Sequence, residues 1–212
     1  MNAIVARIDK RARTHNIVVL PHSFFSYMWS NGTASIDSWV DRLDVDLLRA
    51  EHVVFLVHMG NVANMLHWID VHAIVQRRRV VAYDSLPYDN TVVCNVRAAA
   101  AKLARGCPRQ IHTNAPQHVR DFFVRRIALA CEARRQRIAS HSEPAGQLPP
   151  WLRGGDDWVV DGSGECGKQA DDTECGVYAL GAADDVAHGR APSVTPATVV
   201  GRRARFGCML LQ

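Results

Sequence analysis

Apolar positions recur along this chain in two rhythms, and the change of rhythm marks out its elements. In residues 1–14, Ile4, Val5 and Ile8 stand among charges at helical spacing, which predicts an amphipathic helix. Residues 17–20 are a short apolar run ended by Pro21. Residues 23–29 are aromatic and read as a helical turn that Asn31-Gly32 breaks. Residues 35–43 return to helical spacing, with Ile36, Trp39, Val40 and Leu43 on one face and Trp39 expected in the core. The rhythm then changes. Residues 52–59 are continuously apolar, as in a buried strand. Residues 66–75 are rich in β-branched side chains, and residues 79–83 form a short apolar run. The polar turn Gln76-Arg77-Arg78 joins these last two into a hairpin that feeds a central sheet.

The second half reads mostly as helix. Residues 90–105 form an alanine-rich helix closed by Gly106, and residues 116–139 a longer one rich in arginine. Residues 140–150 lack periodicity and end in Pro149-Pro150, so they predict a loop. A strand at 157–161 and a flexible turn at 162–167 follow. A helix is expected from Cys175 to about His188, stopping at Gly189. Another is expected from Pro196 towards Leu211, with Thr195 as its N-cap.

Composition narrows the class. A chain of 212 residues, 48% of them hydrophobic, fits one domain with a substantial core. No apolar run reaches the length of a membrane span, and the charged helical start is no signal peptide, so no membrane partner is expected. The six cysteines (94, 107, 131, 166, 175 and 208) contain no CxxC pair and read as thiols of a reducing compartment, nuclear or cytoplasmic. A zinc site from Cys166 and Cys175 has the wrong spacing for common fingers. The net charge of +4 comes with arginine clusters at 77–79, 120–137 and 202–205. Such a modest excess reads as a solvated surface rather than a nucleic-acid-binding face.

The chemistry gathers around Cys175. Residues 169–174 are polar and turn-like, and the helix begins at the cysteine, where backbone N–H groups and the helix dipole favour thiolate. A nucleophilic thiolate needs a base and a group to orient that base. In the expected hairpin, the start of one strand and the end of its partner lie side by side, so His67 and Asp84 can face each other. The carboxylate would then hold one ring nitrogen and leave the other for the thiol. Gln169, six residues before Cys175, carries an amide that can donate to an oxyanion, with the Cys175 backbone N–H as second donor. Each residue also has a plain structural reading: His67 as a core histidine, Asp84 as a turn or cap residue, Gln169 as surface. His58 and His72 are rival strand histidines. The order His, Asp, Gln, Cys in these contexts is what sets the constellation apart.

His67-Trp68, Tyr83-Asp84-Ser85-Leu86 and the stretch from Gln169 to Tyr178 resemble the three motifs of the ubiquitin-like-protein-specific cysteine proteases. These are the SUMO proteases and their relatives, adenovirus-type proteases included. The resemblance covers most of the chain except about residues 106–158. It implies an α+β, papain-like fold with a central mixed sheet, and a single catalytic domain over 1–212 with an insertion at about 106–158. It implies His67 as general base, Asp84 as its orienting partner, Gln169 in the oxyanion hole and Cys175 as nucleophile. Trp68 would flank a channel so narrow that only a Gly-Gly tail passes. The implied activity is cleavage after that tail of a ubiquitin-like protein or its conjugates, with no metal or organic cofactor.

The chain departs from the family pattern in three places. Glu174 stands where Asp is usual before the cysteine, and Asp171-Asp172 stand in place of Asn-Gly. The family's Trp-Leu-Asn-Asp-like stretch would precede the first helix, so the N-terminus is expected to be incomplete and a second aromatic wall missing. A viral-type endopeptidase, an effector acyltransferase, and a decayed copy that binds a modifier or nucleic acid without cutting are the alternatives.

Overall fold

Strand β2 (His52–Met59) is apolar without a break because both of its faces are covered. Val53, Phe55 and Val57 face one helical layer, and Val54 and Leu56 the other. The computed structural model describes residues 2–43, 46–59, 67–85, 108–140, 157–161, 164, 166–169 and 173–211. Its centre is a mixed five-stranded sheet in the order β1-β2-β3-β4-β5. The other strands are β1 (Ile17–Leu20), β3 (His67–Ile74), β4 (Arg79–Tyr83) and β5 (Val159–Asp161). The hairpin strands β3 and β4 are antiparallel, as are β2 and β3, while the outer pairs β1–β2 and β4–β5 are parallel.

One face of the sheet packs against α2 (His22–Asn31), the single turn α3 (Asp37–Val40) and α4 (Pro108–Ala139). Phe122 of α4 meets Phe24 and Phe55, and Phe123 stacks on Trp158 at 5.0 Å. The other face packs against α1 (Asn2–Ala12), α5 (Cys175–Ala187) and α6 (Val199–Leu211). Burying this much aromatic and aliphatic surface on two faces is the main stabilising contribution, at roughly 25 cal/mol per Å² removed from water.

Several expectations change. The 17–20 run is a full strand. It has only four residues, too few for alternation to show, and it borrows its ladder from β2. The 23–29 turn is a complete helix. The helix expected over 35–43 is a 3-10 turn, Thr33–Ile36, running into α3. Ser35 donates its hydroxyl to the Gly32 carbonyl, the local competition that weakens helix in such residues. Ile36 and Val40 are buried, while Trp39 is only half-buried and stacks on Tyr27. Helix α4 begins at Pro108, so Pro116 lies inside it rather than at its start. It falls within the span read as an insertion, yet Ala115, Val119, Phe122 and Phe123 belong to the core. The final helix starts at Val199, after a turn at 196–198. The 162–167 segment is closely packed where it is described. A Cβ on Gly164 would come within 2.6 Å of the Tyr83 ring, and one on Gly167 would meet the Val194 carbonyl. The helix expected at 90–105, the loop at 141–150, Trp151, and the pair Asp171-Asp172 lie outside the described residues.

Of the arginines at 202–205, Arg203 is exposed, but Arg202 and Arg205 are held in ion pairs with buried acids. Helix α5 carries Asp184 and Asp185, both fully buried, and α6 neutralises them. Arg202 grips Asp185 through Nη2 at 2.7 and 2.9 Å, and Arg205 reaches Asp184 at 2.9 Å. Burial alone would raise the Asp185 pKa, but hydrogen bonds from Arg202 and Ser193 outweigh it and hold the carboxyl below its usual value. Likewise Arg125 of α4 binds Asp37 at 2.6 Å, and Arg79 binds Asp161 at 2.6 Å.

Candidate active site

Strand β3 begins at His67, opposite the last residue of β2, and β4 ends at Tyr83, opposite Asp70. The chain leaving β4 therefore passes the start of β3. There His67 Nε2 meets Asp84 Oδ1 at 2.9 Å, with both side chains buried. The bond assigns Nε2 to the carboxylate and makes Nδ1 the nitrogen that faces other chemistry.

Residues 166–169 lie alongside this corner. The Gln169 N–H donates to the Ser85 carbonyl at 2.8 Å, and the Ser85 hydroxyl donates to Gln169 Oε1 at 2.7 Å. Gln169 is buried. With its oxygen held by Ser85, its NH2 group is the end able to donate elsewhere. The Asp84 carbonyl accepts from Lys168 Nζ at 2.8 Å and from the Cys166 thiol at 3.2 Å. Burial pushes the Cys166 thiol up to about 11. Tyr178 of α5 donates its hydroxyl to the Lys168 carbonyl, tying the cysteine helix to the same segment.

Cys175 is the first residue of α5 and is buried. The backbone N–H groups of Trp68, Gly176 and Cys175 itself act on its sulfur. A thiol on the Trp68 backbone is one peptide from His67. The expected lowering of its pKa is not what the structure gives. Burial is the largest influence and pushes the thiol up, Asp84 adds to it, and the three N–H groups pull the other way without winning. Glu174, also buried, is balanced by Arg203 of α6 at 3.5 Å.

Trp68 pairs in register with His58 across β2 and β3, their rings 4.3 Å apart. His22, the first residue of α2, meets the indole edge-on at 5.5 Å. Trp29 takes no part: it packs on the opposite face of the sheet, against Phe25 and His118.

No family model and no characterised protein matches the chain by sequence. Solved structures do match. The SUMO protease Ulp1 with its catalytic cysteine oxidised to a sulfinic acid aligns with a TM-score of 0.59 at 14% identity, over 98% of this chain and 74% of that one. The C-terminal Ulp1 protease domain in complex with Smt3, the yeast orthologue of SUMO, aligns at 0.57 and 12% identity, over 98% and 73%. The Ulp1-like SUMO protease catalytic domain of Chaetomium thermophilum aligns at 0.54 and 16% identity, over 96% and 66%. The fold is the Ulp1 protease fold. It is the α+β, papain-like arrangement, with the mixed sheet at its centre and the cysteine helix packed on it.

Within this Ulp1 fold, the site residues named from sequence converge on one end of the sheet. His67 and Asp84 bond directly. Gln169 joins them through Ser85, and Cys175 through the Trp68 backbone. The rival His72 is elsewhere, bonded to Asp70 at 2.7 Å beneath α5. The link from Ser85 to Gln169 and the two donors on the Asp84 carbonyl were not foreseen. Ser85 stands in the motif, but nothing in the sequence shows that 166–169 runs beside 84–85. Among the described residues, no group of three or more His, Cys, Asp or Glu side chains could hold a metal ion. Nor is any helix among them long and apolar enough to cross a membrane.

Proposed function

We propose that this chain is a thiol protease that cuts after the Gly-Gly tail of a ubiquitin-like modifier, maturing it or releasing it from a conjugate. The observation that carries this reading is the His67–Asp84 pair at 2.9 Å beside a buried thiol that starts a helix. His67 Nδ1 takes the proton from Cys175, and the thiolate attacks the carbonyl carbon of the tail. The oxyanion is received by the Gln169 amide and by the Cys175 N–H at the start of the helix. The imidazolium then protonates the leaving amine as the C–N bond breaks. Water, deprotonated by His67, hydrolyses the thioester and restores the thiol. Because burial holds the thiol protonated, Cys175 depends on His67 for every turnover. A SUMO-like modifier is the first choice, since a protein of the same fold is known bound to Smt3.

The test is trapping by modifiers whose C-terminal glycine carries an electrophile, SUMO and ubiquitin among them. A covalent adduct that forms on at least one and vanishes in Cys175→Ser is expected. Failure of every modifier to form an adduct, with cleavage of other peptides or transfer of an acetyl group instead, would overturn the reading in favour of an endopeptidase or an acyltransferase.

A further inference from the structure

Two consecutive residues leave the end of β4 and send their side chains to different halves of the site. The Asp84 carboxylate takes His67 Nε2 at 2.9 Å, and the Ser85 hydroxyl donates to Gln169 Oε1 at 2.7 Å. The segment 164–169 runs beside this stretch like a rail. The Gly164 N–H donates to the Ala82 carbonyl at 2.9 Å and the Gln169 N–H to the Ser85 carbonyl at 2.8 Å. The Lys168 carbonyl, in the peptide just before Gln169, accepts from the Tyr178 hydroxyl of α5 at 3.0 Å. The backbone of Gln169 is thus fixed from two sides. Shape alone does not fix its amide. The oxygen and the NH2 group are nearly the same size, and a half-turn about the last side-chain bond exchanges them. Only one sense is useful: turned towards a developing oxyanion, NH2 donates and the oxygen repels. Ser85 and Gln169 are 3% and 4% exposed, so solvent is no ready substitute for either partner.

We propose that Ser85 is a positioning residue for the cut: its hydroxyl holds Oε1 and so presents the Gln169 NH2 group to the oxyanion. The inference rests on the protease reading above and adds to it the group that sets the sense of the amide. Asp84 and Ser85 then do the same work on two different partners. Each occupies one end of a two-ended group and leaves the other end for the reaction: Nδ1 of His67 in one case, NH2 of Gln169 in the other. Without the hydroxyl, Oε1 is left buried beside a methyl group, and neither sense of the amide is satisfied. The amide then divides between its two senses, and fewer molecules hold a donor where the oxyanion forms. The hydroxyl bonds to neither the thiol nor the imidazole. Its effect is confined to the step in which the carbonyl carbon becomes tetrahedral.

The experiment uses the full chain, with SUMO and ubiquitin each carrying a fluorogenic amide on the C-terminal glycine. Wild type, Ser85→Ala, Gln169→Ala and the double variant are compared as a cycle. In Ser85→Ala, kcat falls roughly tenfold to a hundredfold with KM little changed, a loss bounded by that of the whole amide. The double variant stays within about twofold of Gln169→Ala, because the hydroxyl has nothing left to orient. Independent roles would multiply instead, to a loss of roughly 10³-fold or more. Iodoacetamide reacts at a saturated carbon and forms no oxyanion, so it reads the thiol and His67 alone. Its reaction with Cys175 near neutral pH stays at the wild-type rate in all three variants, which a serine that merely supported the fold would not permit. The role is refuted by any of three results: kcat unchanged in Ser85→Ala, losses that multiply in the double variant, or alkylation that falls along with kcat. A wild-type chain that alkylates normally yet releases no fluorophore from either modifier sinks the protease reading itself, and the role of Ser85 with it.

Discussion

Strand β3 carries two histidines, five residues apart, that each meet an aspartate, and the two pairs have different settings. His67 and Asp84 meet at the strand's start, at 2.9 Å, with Gln169, Lys168 and the Cys175 helix gathered around them. Asp70 and His72 meet at 2.7 Å in the middle of the sheet, fully buried, with Tyr83 beside the imidazole. The second pair is the shorter, but its setting is closed. Among the described residues Asp70 Oδ1 has no hydrogen-bond partner, and burial raises the Asp70 pKa against the pull of His72. A histidine and an aspartate in contact are therefore not chemistry by themselves. What separates the two is position along the strand: the start of β3 lies beside the Cys175 helix and Gln169, and the middle is closed in with Tyr83 packed on the imidazole.

Breaking each pair in turn is the sharpest way to test this contrast. His67→Ala should lower kcat/KM by about 10⁴-fold or more, and Asp84→Asn by roughly 10² to 10⁴. His72→Ile should leave turnover within about twofold, since it touches nothing that reacts. Comparable losses at His67 and His72 would show that the inner pair belongs to the site.

In stability the ranking reverses. His72→Ile alone strands a buried carboxyl and should cost about 3–5 kcal/mol in denaturant unfolding, whereas Asp70→Val together with His72→Ile should be neutral or stabilising by about 1–4 kcal/mol. A double variant less stable than the single would mean that the pair holds the sheet together.

A smaller effect is expected at Gln169. Gln169→Ala removes one oxyanion donor and should slow the chemical step roughly 10²-fold, with KM little changed. Wild-type rates in that variant would place the amide outside the site.

The least pronounced effect concerns pH. The Cys175 thiol sits above its ordinary 9.0, so its thiolate fraction grows only as pH climbs past that value unless His67 accepts the proton. Iodoacetamide should thus modify Cys175 near neutral pH in wild type but only in the alkaline range in His67→Ala. Cys166, pushed up to about 11, should react later still. Mass spectrometry of each site across pH checks this order. Neutral-pH alkylation of Cys175 in His67→Ala would mean that the helix N-terminus outweighs burial after all.

The central hairpin, the cysteine helix and the terminal helix could be read from sequence because each carries a long run of one rhythm with a clear stop, such as Gly189 in its left-handed conformation. Strand β1 could not, since four apolar residues fit several structures and only β2 decides among them. Helix α4 overran Pro116 because burial of Phe122 and Phe123 overrides a local breaker signal. Of the site, His67 with Asp84 followed from hairpin geometry. The direction of the Cys175 shift did not, because burial is a tertiary quantity that local sequence does not report. The arginines of α6 misled for the same reason: their partners, Asp184 and Asp185, lie on another helix.

Strand β5 has a consequence for the order in which the molecule comes into being. Arg79 of β4 pairs with Val159 of β5, so that ladder closes only after a long intervening stretch has been made. Closing so large a loop carries an entropic cost that local contacts must already offset. During synthesis the ribosome delivers His67 and Asp84 well before Cys175. A partly made chain can hold the β3–β4 hairpin and be chemically inert. The buried acids of α5 then wait for the guanidiniums of α6, the last helix of the described chain to emerge. On the proposed reading, a protease assembled in this sequence is silent while it is being born.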